Sequence, residues 1–320
     1  MKRNFIEEQV TIKGEVILKG TLAIPQMDKE KLPAVLIVNG SGPADRDGNI
    51  NRPGMSFNIY KKIAHFISEL GFITLRYDKR GSGESEGEFN STGMSDLIND
   101  INNNIKFLQN HLKVDKDKII LLGHSEGCIL STLANEITPV SGVILLSGAG
   151  KNLKHFLHYQ NISIINEAKT LKGLKGVLLK ANFKERKILK NEEKYFNKLE
   201  NSTGDTIRMN LGKVPAKWYR EHFKYSSEEI LDKLNNAQCP IIAITGVKDV
   251  QANPVDLESI EKLGNDDIKC MVIDNMDHML REYKGEKTIF DMMKQYKKGA
   301  SQPIHPQLKA VLGEWLARFN

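Results

Sequence analysis

Residues 119–128 read IILLGHSEGC, and the organisation of the whole chain can be worked out from them. An apolar run of strand type leads into the pentapeptide GHSEG, and a segment with helical spacing follows, which is the G-x-S-x-G pattern of a strand–turn–helix elbow. Such a sharp turn lifts the central Ser125 clear of the sheet and brings strand and helix close together. The residues two before and two after the serine must therefore be small, and both are glycine. Free N–H groups at the start of the new helix point to the place where an oxyanion would form.

The totals of the chain restrict its class. It has 320 residues, of which 40% are hydrophobic, enough for one large α/β domain with an insertion or for two domains. No run approaches the ~20 apolar residues that cross a bilayer. The first eight residues, MKRNFIEE, become acidic before an apolar stretch can form, so we expect no signal peptide.

The cysteines and histidines give no metal-ligand spacing. Cys128, Cys239 and Cys270 are widely spaced and lie in apolar surroundings, which favours buried free thiols in a reducing, cytoplasmic compartment. We therefore expect no metal, and the serine chemistry inferred below requires no cofactor.

The net charge of +6 is concentrated in the middle of the chain. Between Lys151 and Asn235 there are 18 Lys and Arg against 10 Asp and Glu, a net charge of +8, and the remainder carries −2. Such a segment could attract anionic substrates or a surface, but a solvated lysine-rich helical face accounts for it and is favoured. We expect no nucleic-acid partner.

Buried strands and amphipathic helices alternate on both sides of the elbow. The strand runs are 34–38, 72–77, 142–148, 240–245 and 270–273, and helical spacing marks 55–70, 95–112, 127–137, 254–263 and 307–319. Two further strands, 8–12 and 16–24, predict an antiparallel start. The pattern predicts an α/β fold with a mostly parallel central sheet and helices on both faces.

Residues 151–236 have a different texture. Apolar residues recur there at helical spacing and buried-strand runs are nearly absent. We interpret the segment as a helical insertion that caps the strand ends, which divides the chain into core (1–150), cap (151–236) and core (237–320). Three aromatic residues of the segment are candidates for a substrate pocket, although the insertion's own core is the favoured place for them: Trp218, Tyr219 and Phe223.

Two glycine-rich polar loops follow predicted strands. The first, 39–48, lies at the carboxyl end of a central strand, where open α/β sheets bind their ligands. Its exposed amides, that of Ser41 above all, could stabilise an oxyanion, and a plain glycine turn is the alternative. No Gly-Lys-Ser/Thr follows, which disfavours a phosphate-binding loop. The second loop, DKRGSGES at 78–85, is expected to hold loops together rather than to perform chemistry.

Three chemically suggestive residues follow predicted parallel strands. Ser125, Asp249 and His278 each come after one, in the chain order that is typical of hydrolases with this elbow. A serine nucleophile requires an imidazole to take its proton and a carboxylate to orient that imidazole.

With these motifs the sequence resembles the α/β-hydrolase family, in its esterase branch with a helical cap between core strands. The resemblance implies Ser125 as nucleophile, Asp249 as acid and His278 as base. It also implies the backbone amides of Ser41 and Glu126 as the oxyanion hole. The family often has His-Gly where this chain has Asn39-Gly40, a position that usually supports the loop.

Other residues compete for these roles. For the base, the alternatives are His124, whose side chain should point away from its neighbouring serine, and His305, which we expect at the surface. For the acid they are Asp256 on the next helix and Asp277. Cys128 is a possible nucleophile, but it lies one turn into the helix and is expected in the core.

The resemblance predicts a short-chain carboxylesterase that acts through an acyl-enzyme, with a small-molecule ester as substrate and a homodimer as a possible assembly. The motif does not separate esters from thioesters or amides, since all pass through one tetrahedral intermediate. A thioesterase or acyltransferase on acyl-coenzyme A-like substrates is therefore an alternative, and the basic segment would suit one. A peptidase would more often carry an added β-propeller, and no segment of the sequence reads as one. A non-catalytic binding protein on the same fold is the remaining alternative.

Overall fold

The computed structural model describes residues 4–172, 183–209 and 212–320. Its strands are β1 (Phe5–Ile12), β2 (Leu18–Pro25), β3 (Leu32–Val38), β4 (Ile73–Tyr77), β5 (Val114–His124), β6 (Gly142–Leu146), β7 (Ile207–Met209), β8 (Gly212–Val214), β9 (Ile241–Gly246) and β10 (Ile268–Ile273). Its α-helices are α1 (Ile59–Glu69), α2 (Met94–Gln109), α3 (Glu126–Ile137), α4 (Leu153–Thr170), α5 (Glu185–Glu200), α6 (Ala216–Phe223), α7 (Ser227–Asn235), α8 (Leu257–Glu261), α9 (Met292–Lys298) and α10 (Pro306–Leu316).

One eight-stranded sheet organises the fold, in the order β1-β2-β4-β3-β5-β6-β9-β10. The pairs β1–β2 and β2–β4 are antiparallel and the remaining pairs are parallel. This confirms the mostly parallel sheet and its antiparallel start. Residues of β3, β4, β6 and β9 are buried throughout, because helices cover both faces of the sheet.

The two faces of the sheet carry separate cores. On one face, α2 and α3 pack on the sheet through residues such as Ile101 and Leu130. On the other, α1 and α10 do so through residues such as Ile63 and Leu312. The predicted helices of the α/β alternation are present, with ends that differ by a few residues, and 254–263 is a 3-10 turn followed by the short α8.

The segment between β6 and β9 contains the helices α4 to α7. It also contains the small antiparallel pair β7–β8, which the sequence did not indicate because each strand has only three residues. The part of the predicted helical insertion that falls on 173–182 and 210–211 lies outside the described residues. Across the described ranges, every helix is too short or too polar to cross a membrane.

One helix was missed by the sequence analysis, and one expectation about the cysteines was wrong. Helix α9 was not predicted, because its sequence MMKQYKK is short and buries one residue, Tyr296. Cys128 and Cys239 are buried free thiols as expected, but Cys270 is only partly buried. It lies on β10, the edge strand of the sheet, where one flank has no neighbouring strand.

Candidate active site

The elbow between β5 and α3 holds Ser125 in a rare backbone conformation, with φ 55° and ψ −121°. Such a conformation in a non-glycine residue costs about 1–3 kcal/mol and persists only where the surroundings enforce it. A Cβ on Gly123 would lie 2.2 Å from the carbonyl oxygen of Gly127, and a Cβ on Gly127 would lie 2.2 Å from that of Val38. Both glycines are therefore required by the close packing of β5, α3 and β3, as the pentapeptide predicted.

The loops after β9 and β10 bring Asp249 and His278 together. The Nδ1 of His278 lies 2.9 Å from Oδ2 and 3.1 Å from Oδ1 of Asp249. An ionised carboxylate only accepts hydrogen bonds, so Nδ1 carries the proton and Nε2 is left as the acceptor. Burial raises the pKa of Asp249, but the imidazole and the amides of Gln251 and Ala252 more than offset this, and the pKa lies below its ordinary value. The carboxylate is therefore charged at neutral pH.

Ser125 and His278 line the same cavity, which has a volume of about 200 Å³ and is called the imidazole cavity below. Among the described residues, the Ser125 hydroxyl makes no hydrogen bond to the imidazole. Bonds of this kind are often long without substrate and shorten when the reacting complex forms. The cavity thus brings together the serine and the histidine, with Asp249 behind the latter.

The loop after β3 lies against the serine. A Cβ on Gly40 would be 3.0 Å from the Cβ of Ser125. The next residue, Ser41, lines the imidazole cavity together with Glu126. Within the described ranges, the backbone amides of Ser41 and Glu126 donate no hydrogen bond, so both are free for an oxyanion. Asn39 supports this loop through Nδ2, which lies 3.4 Å from the carbonyl oxygen of Asp45.

Both ring nitrogens of His124, the nearest alternative base, are engaged in a buried chain of hydrogen bonds. The Gly40 amide donates to the Tyr60 hydroxyl (2.7 Å), which donates to His124 Nδ1 (3.1 Å), and His124 Nε2 donates to the carbonyl oxygen of His278 (2.8 Å). Burial, and then the nearby His278, lower the pKa of His124 to about 3. His124 therefore stays neutral and ties the loop after β3, the elbow and the His278 loop to one another.

The remaining competitors for the base, the acid and the nucleophile are engaged elsewhere in the fold. The expectation that His305 lies at the surface was wrong: it is buried, and its Nδ1 accepts the Gln307 amide at the start of α10 (3.2 Å). Of the competing acids, Asp256 pairs with His155 at 2.8 Å and Asp277 accepts the Arg281 amide at 3.1 Å. Cys128 is buried as expected, with its thiol 3.2 Å from the carbonyl oxygen of Leu146, and burial raises its pKa.

Sequence reasoning assigned a role to the Glu126 amide and overlooked its side chain. The carboxylate is buried and lies 3.2 Å from Lys79 Nζ and 3.0 Å from His222 Nε2, and it accepts the Trp218 indole N–H. Burial raises its pKa, but Lys79 and the two α6 donors lower it to about 2. Lys79 also donates to the Gly40 carbonyl oxygen at 2.6 Å. We call these four side chains, Glu126, Lys79, Trp218 and His222, the Glu126 junction.

The rest of the DKRGSGES loop has the structural role that was predicted. Asp78 accepts Arg46 Nε at 3.0 Å, and Arg80 Nε donates to Asp100 at 2.8 Å. All four side chains are buried. The loop therefore fastens the loop after β3 to the helix α2.

The aromatic residues of α6 divide between the two interpretations. Trp218 and Tyr219 line the imidazole cavity. Tyr219 also packs on Tyr195 of α5, with ring centroids 5.7 Å apart, so it fits the preference for the segment's own core as well. Phe223 packs on Phe196 of α5, with ring centroids 5.0 Å apart, as that preference required. In the described part of the chain, the His, Cys, Asp and Glu side chains form no cluster of three or more suited to a metal ion.

Comparison with known proteins shows the family to which this chain belongs. A family model described as serine aminopeptidase, S33, matches residues 50–282. The esterase EstD of Thermotoga maritima is 28% identical over 293 residues, which cover 91% of this chain and 64% of that protein. The chain thus spans less than two thirds of the length of EstD.

Solved structures share the fold at low sequence identity. Est1E from Butyrivibrio proteoclasticus matches with a TM-score of 0.59 and 16% identity, over 97% of this chain and 98% of that one. The Pyrococcus furiosus esterase Pf2001 matches with a TM-score of 0.57 and 15% identity, over 98% and 91%. The α/β-hydrolase fold is confirmed.

Proposed function

The chain belongs to the α/β-hydrolase family described as serine aminopeptidase, S33, and from this premise we propose that it is a short-chain carboxylesterase that works through a Ser125–His278–Asp249 triad. The observation that carries the proposal is that a strained, partly exposed serine and an Asp-paired imidazole line one cavity. Similarity to EstD and to two esterase structures supports the ester as substrate class.

In the proposed reaction, His278 Nε2 takes the Ser125 proton while Oγ attacks the ester carbonyl carbon. Asp249 holds Nδ1–H and stabilises the imidazolium. The free amides of Ser41 and Glu126 hold the oxyanion, which is worth about 3–4 kcal/mol for each such donor. The alkoxide leaves with the proton from Nε2, and water then repeats the cycle to release the acid.

An aminopeptidase is the second candidate, because the family description names one. Such an enzyme needs an unpaired anionic group to hold the free α-amino group of its substrate. Glu126 is the acidic residue among those that line the imidazole cavity, and the Glu126 junction already pairs it, while Lys151 on the same wall would repel an amine. These charges favour a neutral ester.

The basic segment 151–236 keeps two further functions testable. We propose that it acts as a cap over the strand ends, since Trp218 and Tyr219 of α6 line the cavity. Its net charge would suit an acyl-coenzyme A thioesterase or acyltransferase. A binding protein without catalysis would have no use for a complete serine, histidine and carboxylate set. The cytoplasmic location and the homodimer stay predictions.

A substrate panel separates these functions. The native chain and Ser125→Ala would be assayed on p-nitrophenyl acetate and butyrate, on acyl-coenzyme A, and on aminoacyl p-nitroanilides. We expect the aryl esters to be cleaved with a kcat/KM well above that of the other classes, and we expect Ser125→Ala to abolish the activity with a melting temperature within a few degrees. Faster cleavage of the anilides would establish the peptidase, and no turnover of any class by folded protein would favour the binding protein.

A further inference from the structure

A second cavity, of about 240 Å³, lies beside the imidazole cavity and is called the loop cavity here. Phe89, Leu97 and Pro215 belong to its lining and not to that of the imidazole cavity. Four residues line both cavities: Ser41, Glu126, Trp218 and Tyr219. Because the two proposed oxyanion donors are among these four, the cavities meet where the carbonyl group of a substrate would lie.

Resting on the proposed function, we propose that the two cavities are separate subsites, the loop cavity for the acyl group and the imidazole cavity for the alcohol. The tetrahedral carbon carries Ser125 Oγ, the oxyanion, the acyl carbon and the alcohol oxygen. When the bond to the alcohol oxygen breaks, that oxygen takes its electron pair and receives the proton that His278 removed from Ser125. The alcohol must therefore lie beside His278, which lines the imidazole cavity and not the loop cavity.

The walls of the loop cavity specify an uncharged acyl group. Among the described residues that line it, Lys79 and Glu126 are the charged ones. Their charges neutralise each other, since Lys79 Nζ lies 3.2 Å from Glu126 Oε2. A free carboxylate or ammonium on the acyl group would find no unpaired counter-ion there and would lose its hydration. Since a cavity of about 150 Å³ holds benzene, the loop cavity admits an aryl ring with a short substituent or a short alkyl chain.

The imidazole cavity has a different chemistry. Gln160, Gln251 and Lys151 line it, all of them partly exposed. Gln160 Nε2 donates to the Gln251 carbonyl oxygen at 3.3 Å, and the Oε1 atoms of both glutamines accept nothing from the described residues. These polar groups suit an alcohol that carries further hydroxyl groups, such as glycerol or a sugar.

A pair of phenylalanine variants tests the assignment. Phe89→Ala enlarges the loop cavity, and Phe156→Ala, the matched control, enlarges the imidazole cavity, since each ring is partly buried and lines that cavity alone. One substrate series varies the acyl group at constant alcohol (p-nitrophenyl acetate to octanoate, and benzoate). The other varies the alcohol at constant acyl group (ethyl, butyl, phenyl and glyceryl butyrate), with acid release as the readout.

We expect Phe89→Ala to raise the kcat/KM ratio of octanoate to acetate at least about tenfold, because a few methylene groups in a pocket change specificity by that much. In the alcohol series, the kcat/KM ratios between substrates should stay within about twofold of the native ratios. Phe156→Ala should change the kcat/KM ratios of the alcohol series and leave those of the acyl series within about twofold of native. A changed alcohol ranking in Phe89→Ala, or an unchanged acyl ranking, would overturn the assignment.

Two arrangements keep this test decisive. If Phe89→Ala does not fold, Leu97→Ala opens the same cavity from α2 and should shift the acyl ranking in the same direction. If the native chain hydrolysed no ester in either series, the proposed function and the subsites would both fail. Hydrolysis with acyl rankings that neither loop-cavity variant alters would remove the subsites alone.

Discussion

Two buried carboxylates, Asp249 and Glu126, belong to the proposed site and its surroundings, and they have different sets of partners. Asp249 pairs with the imidazole of His278 and accepts the backbone amides of Gln251 and Ala252. Glu126 pairs with the amino group of Lys79, with the imidazole of His222 and with the indole N–H of Trp218. Both carboxylates have a lowered pKa. A buried carboxylate with a lowered pKa and an imidazole partner can therefore lie near the serine without being the proposed acid. Glu126 also balances the charge of Lys79, whereas the side-chain partner of Asp249 among the described residues is the imidazole of His278.

The two carboxylates also belong to different kinds of contact. Asp249 and His278 follow strands of one sheet and are held by short loops. The Glu126 junction joins the elbow to α6, and α6 is fastened to α2 by two further contacts: Glu221 accepts the Ser95 amide at 2.7 Å, and Lys217 pairs with Asp96 at 2.7 Å. We interpret the first carboxylate as part of the chemistry and the second as the fastening of the proposed cap.

The largest expected effect comes from removing the charge behind the imidazole. Asp249→Asn should lower kcat about 10³- to 10⁴-fold, because the amide no longer enforces the tautomer or stabilises the imidazolium. Asp256→Asn is the matched control, since Asp256 is also buried but pairs with His155, and we expect kcat within about threefold of native. Stopped-flow or steady-state hydrolysis of a p-nitrophenyl ester measures both, and equal losses would contradict the assignment.

Glu126→Gln should affect stability more than chemistry. It leaves the buried Lys79 without its counter-ion, and breaking such a pair costs about 3 kcal/mol of unfolding free energy. We expect kcat within about tenfold of native and an unchanged dependence of kcat on pH. Urea unfolding measures the loss of stability.

Two further variants control for the general effects of this substitution. Glu136→Gln, on the same helix α3 but with an exposed carboxylate, should cost less than about 0.5 kcal/mol. Adding Lys79→Met to Glu126→Gln should recover part of the stability. A kcat loss as large as that of Asp249→Asn in a fully stable protein would instead place Glu126 in the chemistry.

The smallest expected effect concerns the pH dependence of stability. The pKa of His124 is about 3 in the folded chain against 6.5 in the unfolded one, so below pH 6.5 the unfolded state binds the extra proton. The stability this gives is fully present above pH 6.5 and is lost as the pH falls towards 3. Glu126 titrates mostly below this range, with a pKa of about 2 in the folded chain against 4.5 in the unfolded one, and adds little to the slope between pH 5 and 6.5.

A variant isolates the contribution of His124 from that of other histidines. In His124→Asn, the plot of unfolding free energy against pH should be shallower than native by up to about 1.4 kcal/mol per pH unit between pH 5 and 6.5. Denaturant unfolding at several pH values measures this slope. Parallel curves for the two proteins would mean that His124 takes up its proton in the folded state as well.

The sequence predicts what the sheet itself positions. The parallel strands could be read from continuous apolar runs, and the elbow from its two glycines, because each feature depends on neighbours in the chain. Ser125, Asp249 and His278 could be placed at one edge of the sheet because each follows a parallel strand, and the carboxyl ends of the parallel strands all lie at that edge.

Contacts between distant side chains could not be read in this way. The junction joins Lys79 to Glu126 across 47 positions and Glu126 to His222 across 96, and no spacing rule links them. The burial of His305 was not predicted, because its role as the N-cap of α10 could not be inferred from the following Pro306. A proline at that position indicates a turn or a helix start equally well. The acidic residue after Ser125 was the available signal for the junction, and it gained meaning only once α6 was seen to lie above it.

The most direct test of the central claim is covalent labelling by a fluorophosphonate, followed by mass spectrometry of the labelled peptide. We expect a single label on Ser125 in the folded native chain, and a labelling rate at least about 10³-fold lower in His278→Ala, since the hydroxyl depends on that imidazole for activation. A label on any other residue, or a His278→Ala rate equal to the native one, would contradict it.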